Sequence, residues 1–154
     1  MNENIFRIVA AVILFSAMGI SIYFRSKADR ESGEKLSRKV DGTALMTMIR
    51  IGGLILWLSP FVYLVNPVWM AWSKIGLPES ARWLGVGIGI LCVPGIYWLF
   101  SSIGIGITPV SATRKEHKLV THGIYHYIRH PLYTLGSSLF ISFGMTADNW
   151  FIAA

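Results

Sequence analysis

The chain has few charged residues and a single cysteine. Both shortages limit the classes of protein to which it can belong. Only 14% of its 154 residues are charged, compared with about 25% in an average soluble domain. Together with a mean hydropathy of +0.53, this scarcity excludes an ordinary water-soluble domain. The single cysteine, Cys92, excludes an internal disulfide framework. Its apolar neighbours predict a buried, inert thiol.

Long apolar runs take the place of the missing charge. Four of them approach the length that crosses a bilayer, at 5–24, 44–65, 83–107 and 132–147. After the polar pair Asp148-Asn149 a further apolar segment begins at Trp150. A membrane helix of five residues cannot satisfy its backbone groups in lipid, so we interpret 150–154 as the start of a further helix. The prediction is one all-α, polytopic integral membrane domain over 1–154, with about four transmembrane helices plus the start of a fifth.

The distribution of basic residues predicts the orientation of this domain. One side of the predicted topology carries eleven, namely Arg25, Lys27, Arg30, Lys35, Arg38, Lys39, Arg50, Arg114, Lys115, Lys118 and Arg129. The opposite side carries three, namely Arg7, Lys74 and Arg82. The positive-inside rule therefore puts the loops 25–43 and 108–131 in the cytoplasm, at an inner or plasma membrane. The bilayer is the expected partner, and so hydrophobic a chain is not expected to bind nucleic acid.

The third apolar run is rich in glycine. Gly85 and Gly89 are four residues apart, which is the spacing of a close-packing face between membrane helices. A nucleotide-binding loop is the other role of such glycines, but no strand precedes them and no phosphate-binding lysine follows. We therefore predict helix packing.

All four histidines of the chain lie in one polar block at 117–133. His122, His126 and His130 are spaced by four, which would align them on a helix as metal ligands. However, the block contains no carboxylate or cysteine, and Gly123 and Pro131 interrupt any helix there. We therefore predict no metal site.

The end of this block has the features of an anion site. Pro131 is suited to the first position of the fourth helix, whose unpaired N–H groups would then lie beside Arg129. The same residues would also occur in an ordinary basic membrane anchor that is followed by a helix beginning with proline. Gly123 predicts a turn or a close approach of a ligand. Tyr125, Tyr127 and Tyr133 have the composition of a pocket for a flat ring or a cation, and equally that of an ordinary membrane interface.

The spacing within the block resembles the signature of the isoprenylcysteine carboxyl methyltransferase family, which is related to the phospholipid N-methyltransferases. The pattern is His117-x-Leu119-Val120-Thr121-x-Gly123-x-Tyr125-x-x-x-Arg129-His130-Pro131-x-Tyr133. The resemblance implies an all-helical membrane enzyme that uses S-adenosyl-L-methionine without a Rossmann domain. It assigns as cofactor-binding His117, Lys118, Leu119, Val120, Gly123, Tyr125, His130, Pro131, Leu132 and Tyr133. Arg129 and Tyr133 are the candidate catalytic residues.

The resemblance also implies the reaction, which is methyl transfer to a lipophilic or lipid-linked acceptor. Carboxyl O-methylation of the isoprenylcysteine type is the first expectation, with a prenylated substrate. The alternatives are a phospholipid N-methyltransferase, a sterol-reductase-like enzyme that uses a nicotinamide cofactor, and a non-catalytic membrane subunit. Family members continue to a cytosolic segment with an arginine and paired glutamates, whereas this sequence ends at Ala154. We therefore expect residues 1–154 to be the N-terminal part of such an enzyme and to hold half of its site.

Overall fold

A computed structural model describes residues 3–32, 44–103 and 123–154 as a bundle of helices. The elements are α1 (Glu3–Ser32), α2 (Ala44–Val65), α3 (Glu79–Ile103), α4 (Pro131–Thr146) and α5 (Trp150–Ala153), with 3₁₀ turns at Pro67–Ser73 and Gly123–His126. Within these ranges the only β-type pairing is an isolated bridge between Lys74 and Asn149. The prediction of an all-α protein is confirmed.

Within the described ranges, three helices are long and apolar enough to cross a membrane, over Glu3–Glu31, Thr47–Val65 and Glu79–Ile103. The fourth predicted span forms α4, whose 16 residues reach about 24 Å at 1.5 Å per residue. That length is a few ångströms short of the hydrocarbon thickness of about 30 Å. The protein is therefore an all-α membrane protein with three full-length candidate spans and a shorter fourth helix. That all of it forms one domain stays a prediction.

Helix α1 does not end where the apolar run ends. The predicted span stops at residue 24, but the helix continues to Ser32. Residues 25–32 include arginine, lysine, alanine and glutamate, which are good helix formers, and Lys27 lies 3.9 Å from Glu31 in an i,i+4 ion pair. The predicted cytoplasmic loop 25–43 thus begins inside a helix, and its residues 33–43 lie outside the described ones.

Gly85 and Gly89 of α3 pack against α4 and α1, as predicted. A Cβ atom on Gly85 would lie 2.6 Å from the Cβ atom of Met145, and one on Gly89 would lie 2.9 Å from Cδ1 of Ile13. The Ser142 hydroxyl donates a hydrogen bond of 2.7 Å to the Gly85 carbonyl oxygen. The absence of a side chain at Gly85 and at Gly89 therefore lets α3 approach α4 and α1 closely.

A polar network joins four helices at the end of the bundle away from the start of α4. Arg82 forms an ion pair of 2.9 Å with Glu3 and donates a hydrogen bond of 2.9 Å to the Thr146 carbonyl oxygen. The Tyr63 hydroxyl donates to the same Glu3 carboxylate at 2.7 Å. The Arg82 guanidinium also lies 4.0 Å above the ring centroid of Phe6. This network holds the ends of α1, α2, α3 and α4 together.

Candidate functional site

The start of α4 is the centre of the predicted site. Pro131 is its first residue, as predicted, and His130 is the N-cap without a side-chain hydrogen bond to the helix. The first backbone bond of the helix runs from the Thr134 N–H to the His130 carbonyl oxygen at 3.1 Å. Since proline has no N–H, the N–H groups of Leu132 and Tyr133 are the donors without an intrahelical partner. These two donors and the positive end of the helix dipole favour an anionic group.

The side chains around these donors include a cation and two rings that solvent reaches. Arg129, His130 and Tyr133 are exposed, whereas Pro131 is buried. The rings of His130 and Tyr133 lie 6.2 Å apart and edge to face. Five of the predicted site residues thus lie at one helix start, namely Arg129, His130, Pro131, Leu132 and Tyr133.

The segment 123–130, which precedes α4, contacts the C-terminal part of α3 at Gly123. The φ of Gly123 is +64°, a left-handed conformation that glycine adopts without cost. A Cβ atom there would overlap the side chain of Ser102, and the Ser102 hydroxyl in turn donates to the Trp98 carbonyl oxygen at 2.8 Å. The next residue, Ile124, is buried. The predicted turn at Gly123 is confirmed, and its role is a close approach to α3.

The tyrosines of the block have different surroundings. Tyr127 is exposed, and its ring lies 6.1 Å from that of Trp98. Tyr125 is half-buried, and this burial raises its pKa above the ordinary value. At neutral pH the Tyr125 phenol is therefore protonated and able to donate a hydrogen bond.

Part of the predicted cofactor site falls outside the described residues, namely His117, Lys118, Leu119 and Val120. His122 falls there as well. Among the residues that the structure does describe, no three of His, Cys, Asp and Glu gather as metal ligands.

An apolar groove between the helices extends to the start of α4. It has a volume of about 250 Å³ and is lined by side chains of α1, α2, α3 and α4. Along α1 it extends from Leu14 to Arg25, which is about 16 Å at 1.5 Å per residue. Leu132, in the first turn of α4, lines it together with Ser21 and Arg25. This apolar groove was not predicted, because its wall residues come from four separate parts of the sequence.

A comparison with known protein families finds a match for the C-terminal half of the chain. Residues 80–154, from the start of α3 to the end of the chain, match the family described as phospholipid methyltransferase. They form a domain of that family. The domain includes α3, α4, α5 and the whole polar block, and this confirms the family-level resemblance found in the block. Among curated proteins, none matches this chain significantly. The protein is thus a membrane protein whose residues 80–154 are similar to phospholipid methyltransferases.

Proposed function

We propose that this protein transfers a methyl group from S-adenosylmethionine to a lipophilic acceptor that reaches the site from the bilayer. The observation that carries the proposal is the position of the apolar groove, which shares Leu132 with the helix start assigned to the cofactor. The groove that would admit the acceptor and the helix start that would bind the cofactor thus share Leu132. A lipid acceptor needs both, since its tail stays in apolar surroundings while its polar group reacts.

The residues at the helix start fit the polar parts of S-adenosylmethionine. The unpaired N–H groups of Leu132 and Tyr133 and the guanidinium of Arg129 would hold its carboxylate by charge-assisted hydrogen bonds. The exposed ring of Tyr133 would lie against its adenine or its positively charged sulfonium. Tyr125, which keeps its proton, would act as a donor and not as a base. His117, Lys118, Leu119 and Val120 complete the proposed cofactor contacts through the sequence resemblance.

When bound, S-adenosylmethionine supplies an electrophilic methyl group whose bond to sulfur breaks as the acceptor attacks. The chain itself contributes position and alignment at the end of the apolar groove. A carboxylate acceptor would need no base, whereas an amine acceptor must lose its proton at some stage.

The sequence pattern and the family match favour two different classes of methyl acceptor. The sequence pattern in the polar block favours the carboxyl group of an isoprenylcysteine, and the matched family favours the amine of a phospholipid. Incubation of the purified protein with radiolabelled S-adenosylmethionine and each acceptor in turn separates the classes. Alkali-labile label indicates a methyl ester, and alkali-stable label indicates an N-methyl group.

Binding of the cofactor is the direct test. Calorimetry on the purified protein in detergent should detect S-adenosylmethionine, and Arg129→Ala should weaken the binding by about tenfold because a charge-assisted hydrogen bond is lost. Tyr133→Ala should weaken it as well. Arg30→Ala and Tyr23→Ala are the matched controls, since both residues are exposed on α1. Binding of a nicotinamide cofactor instead would support a reductase. Binding of neither would overturn the proposal in favour of a non-catalytic subunit.

A further inference from the structure

Another pocket, which we call the aromatic pocket, lies between α1 and α3. It has a volume of about 340 Å³, within the range of about 300–1,000 Å³ that small-molecule sites occupy. Its walls include Tyr23, Phe24, Lys27, Glu31, Tyr97 and Ser101, and none of these residues lines the apolar groove. The two cavities are neighbours, because the ring of Phe24 stacks on that of Phe100 in the groove wall with centroids 6.1 Å apart.

Three aromatic rings form adjoining walls of the aromatic pocket. The rings of Tyr23 and Phe24 have centroids 5.3 Å apart and meet at an angle of 85°. Those of Phe24 and Tyr97 have centroids 5.5 Å apart and meet at 71°. Each ring face carries the negative part of the ring quadrupole. Rings that adjoin at nearly a right angle surround a space from more than one side, as in the aromatic cages that hold quaternary ammonium groups.

The charged groups of the aromatic pocket are one carboxylate and one ammonium. Glu31 and Lys27 are both exposed and lie 3.9 Å apart, one helical turn from each other. An exposed i,i+4 ion pair of this kind shifts an equilibrium by only about a factor of two. A ligand cation can therefore replace the Lys27 ammonium beside Glu31 at little cost, and it gains the ring faces in addition.

The rings of the aromatic pocket do not already hold a cation from the described part of the chain. The cation–π contacts among the described residues place Arg25 over Phe100 and Arg82 over Phe6. Neither Phe100 nor Phe6 lines the aromatic pocket. Its ring faces are therefore available to a ligand.

We propose that the aromatic pocket binds a small organic ammonium ion, with its charge against the rings of Tyr23, Phe24 and Tyr97 and beside the Glu31 carboxylate. A methylated ammonium fits better than a primary one, because its charge is spread over methyl groups that contact the ring faces. The ligand is a soluble ion, since the pocket lies where the apolar run of α1 ends and charged residues follow. This site is independent of the proposed function, because it needs neither the cofactor nor the groove.

Ligand-observed NMR on the purified protein in detergent tests the site. Tetramethylammonium is the probe, and tert-butanol, which has a similar shape and no charge, is the control ligand. Titration of the saturation transferred to the probe methyl groups gives its Kd. Tyr97→Leu keeps an apolar wall but removes a ring face, so it should weaken tetramethylammonium binding about two- to fivefold. Trp69→Leu is the matched control, because Trp69 is an exposed aromatic residue in the 3₁₀ turn after α2.

The two charged residues of the pocket should affect the Kd in opposite directions. Glu31→Gln removes an attraction and should weaken binding about threefold, whereas Lys27→Met removes the competing ammonium and should strengthen binding about twofold. Arg30→Met should leave the Kd unchanged, because Arg30 is exposed on the same helix but does not line the pocket. Equal effects of Lys27→Met and Arg30→Met would indicate a response to net charge alone and would overturn the proposal.

The ammonium site and the proposed function fail in distinguishable ways. Tyr23→Ala should weaken tetramethylammonium binding and leave S-adenosylmethionine binding unchanged, whereas Tyr133→Ala should do the reverse. Tetramethylammonium binding in a protein that binds no S-adenosylmethionine would keep the ammonium site and remove the proposed function. Binding of tert-butanol as tightly as tetramethylammonium would remove the ammonium site, as would an unchanged Kd in both Tyr23→Ala and Tyr97→Leu.

Discussion

Replacement of Gly85 by alanine should reveal how closely α3 and α4 pack. The added methyl group would lie 2.6 Å from the Cβ atom of Met145 and 3.0 Å from two backbone atoms, the oxygen of Ser142 and the nitrogen of Thr146. None of these three atoms can move by a side-chain rotation. The helices must therefore separate, and separation also lengthens the hydrogen bond from the Ser142 hydroxyl to the Gly85 carbonyl oxygen.

The size of the effect follows from two opposing terms. Overpacking of a filled contact costs about 1–3 kcal/mol, and we expect the upper end at Gly85 because its neighbours are rigid. Alanine is a better helix former than glycine by about 1 kcal/mol. The net loss of unfolding free energy is thus about 2 kcal/mol, which lowers the Tm of a chain of this length by roughly 4–8 °C.

Cys92 provides the assay for this variant. It is the single cysteine of the chain and it is buried in α3, so a thiol-reactive fluorogenic dye reports unfolding in detergent. Gly87→Ala is the control, because a Cβ atom there meets nothing within 4 Å. This control should keep the helix-propensity gain and raise the Tm by roughly 2–4 °C. Tm shifts of the same sign and size in both variants would refute the close α3–α4 contact.

Two further variants test other parts of the bundle. Asn149→Ala removes hydrogen bonds from the buried amide to the Met70 carbonyl oxygen and the Ser73 hydroxyl, together with the cap of α5. It should cost about 2–3 kcal/mol of unfolding free energy in the same dye assay. Asn149→Asp keeps the cap but should cost at least as much, because it buries a carboxylate with one oxygen against the Met70 carbonyl oxygen. Burial raises the pKa of Tyr125. The stability that the protonated Tyr125 phenol contributes is therefore present below the unfolded pKa of about 10 and is lost as the pH rises through the folded pKa. Between roughly pH 9 and 11 the Tm should fall less with pH in Tyr125→Phe than in the unsubstituted protein, and an equal fall in both would contradict the burial of Tyr125.

Features that depend on nearby residues could be predicted from the sequence. The apolar runs predict the helices because the spacing of charges along the chain sets which segments can enter lipid. Pro131 predicts the start of α4 and Gly123 predicts a turn, since each residue restricts or frees its own backbone. The end of α1 was missed for the same local reason, because a hydropathy boundary marks where lipid ends and not where helical hydrogen bonding ends.

Features that depend on distant residues could not be predicted. Arg82 and Glu3 are separated by 79 positions, and in the sequence Arg82 has the context of an ordinary basic residue at the end of a loop. In the structure it connects α3 to α1 and α4. The apolar groove has the same origin, since Arg25, Phe100 and Leu132 meet only after three helices have packed. Their individual sequence contexts carry no sign of a shared site.

The uneven attachment of α2 explains why the groove is open. Its C-terminal part is held by Arg7, whose side chain donates to the carbonyl oxygens of Leu64 and Val65, and by the bond from Tyr63 to Glu3. From residue 47 to 58 all its described side chains except that of Leu56 are exposed. The polar network lies at the end opposite the candidate site, so it does not hold α2 against the groove. The groove is therefore open on the α2 side, whereas the α3–α4 contact that supports the start of α4 is closed at Gly85.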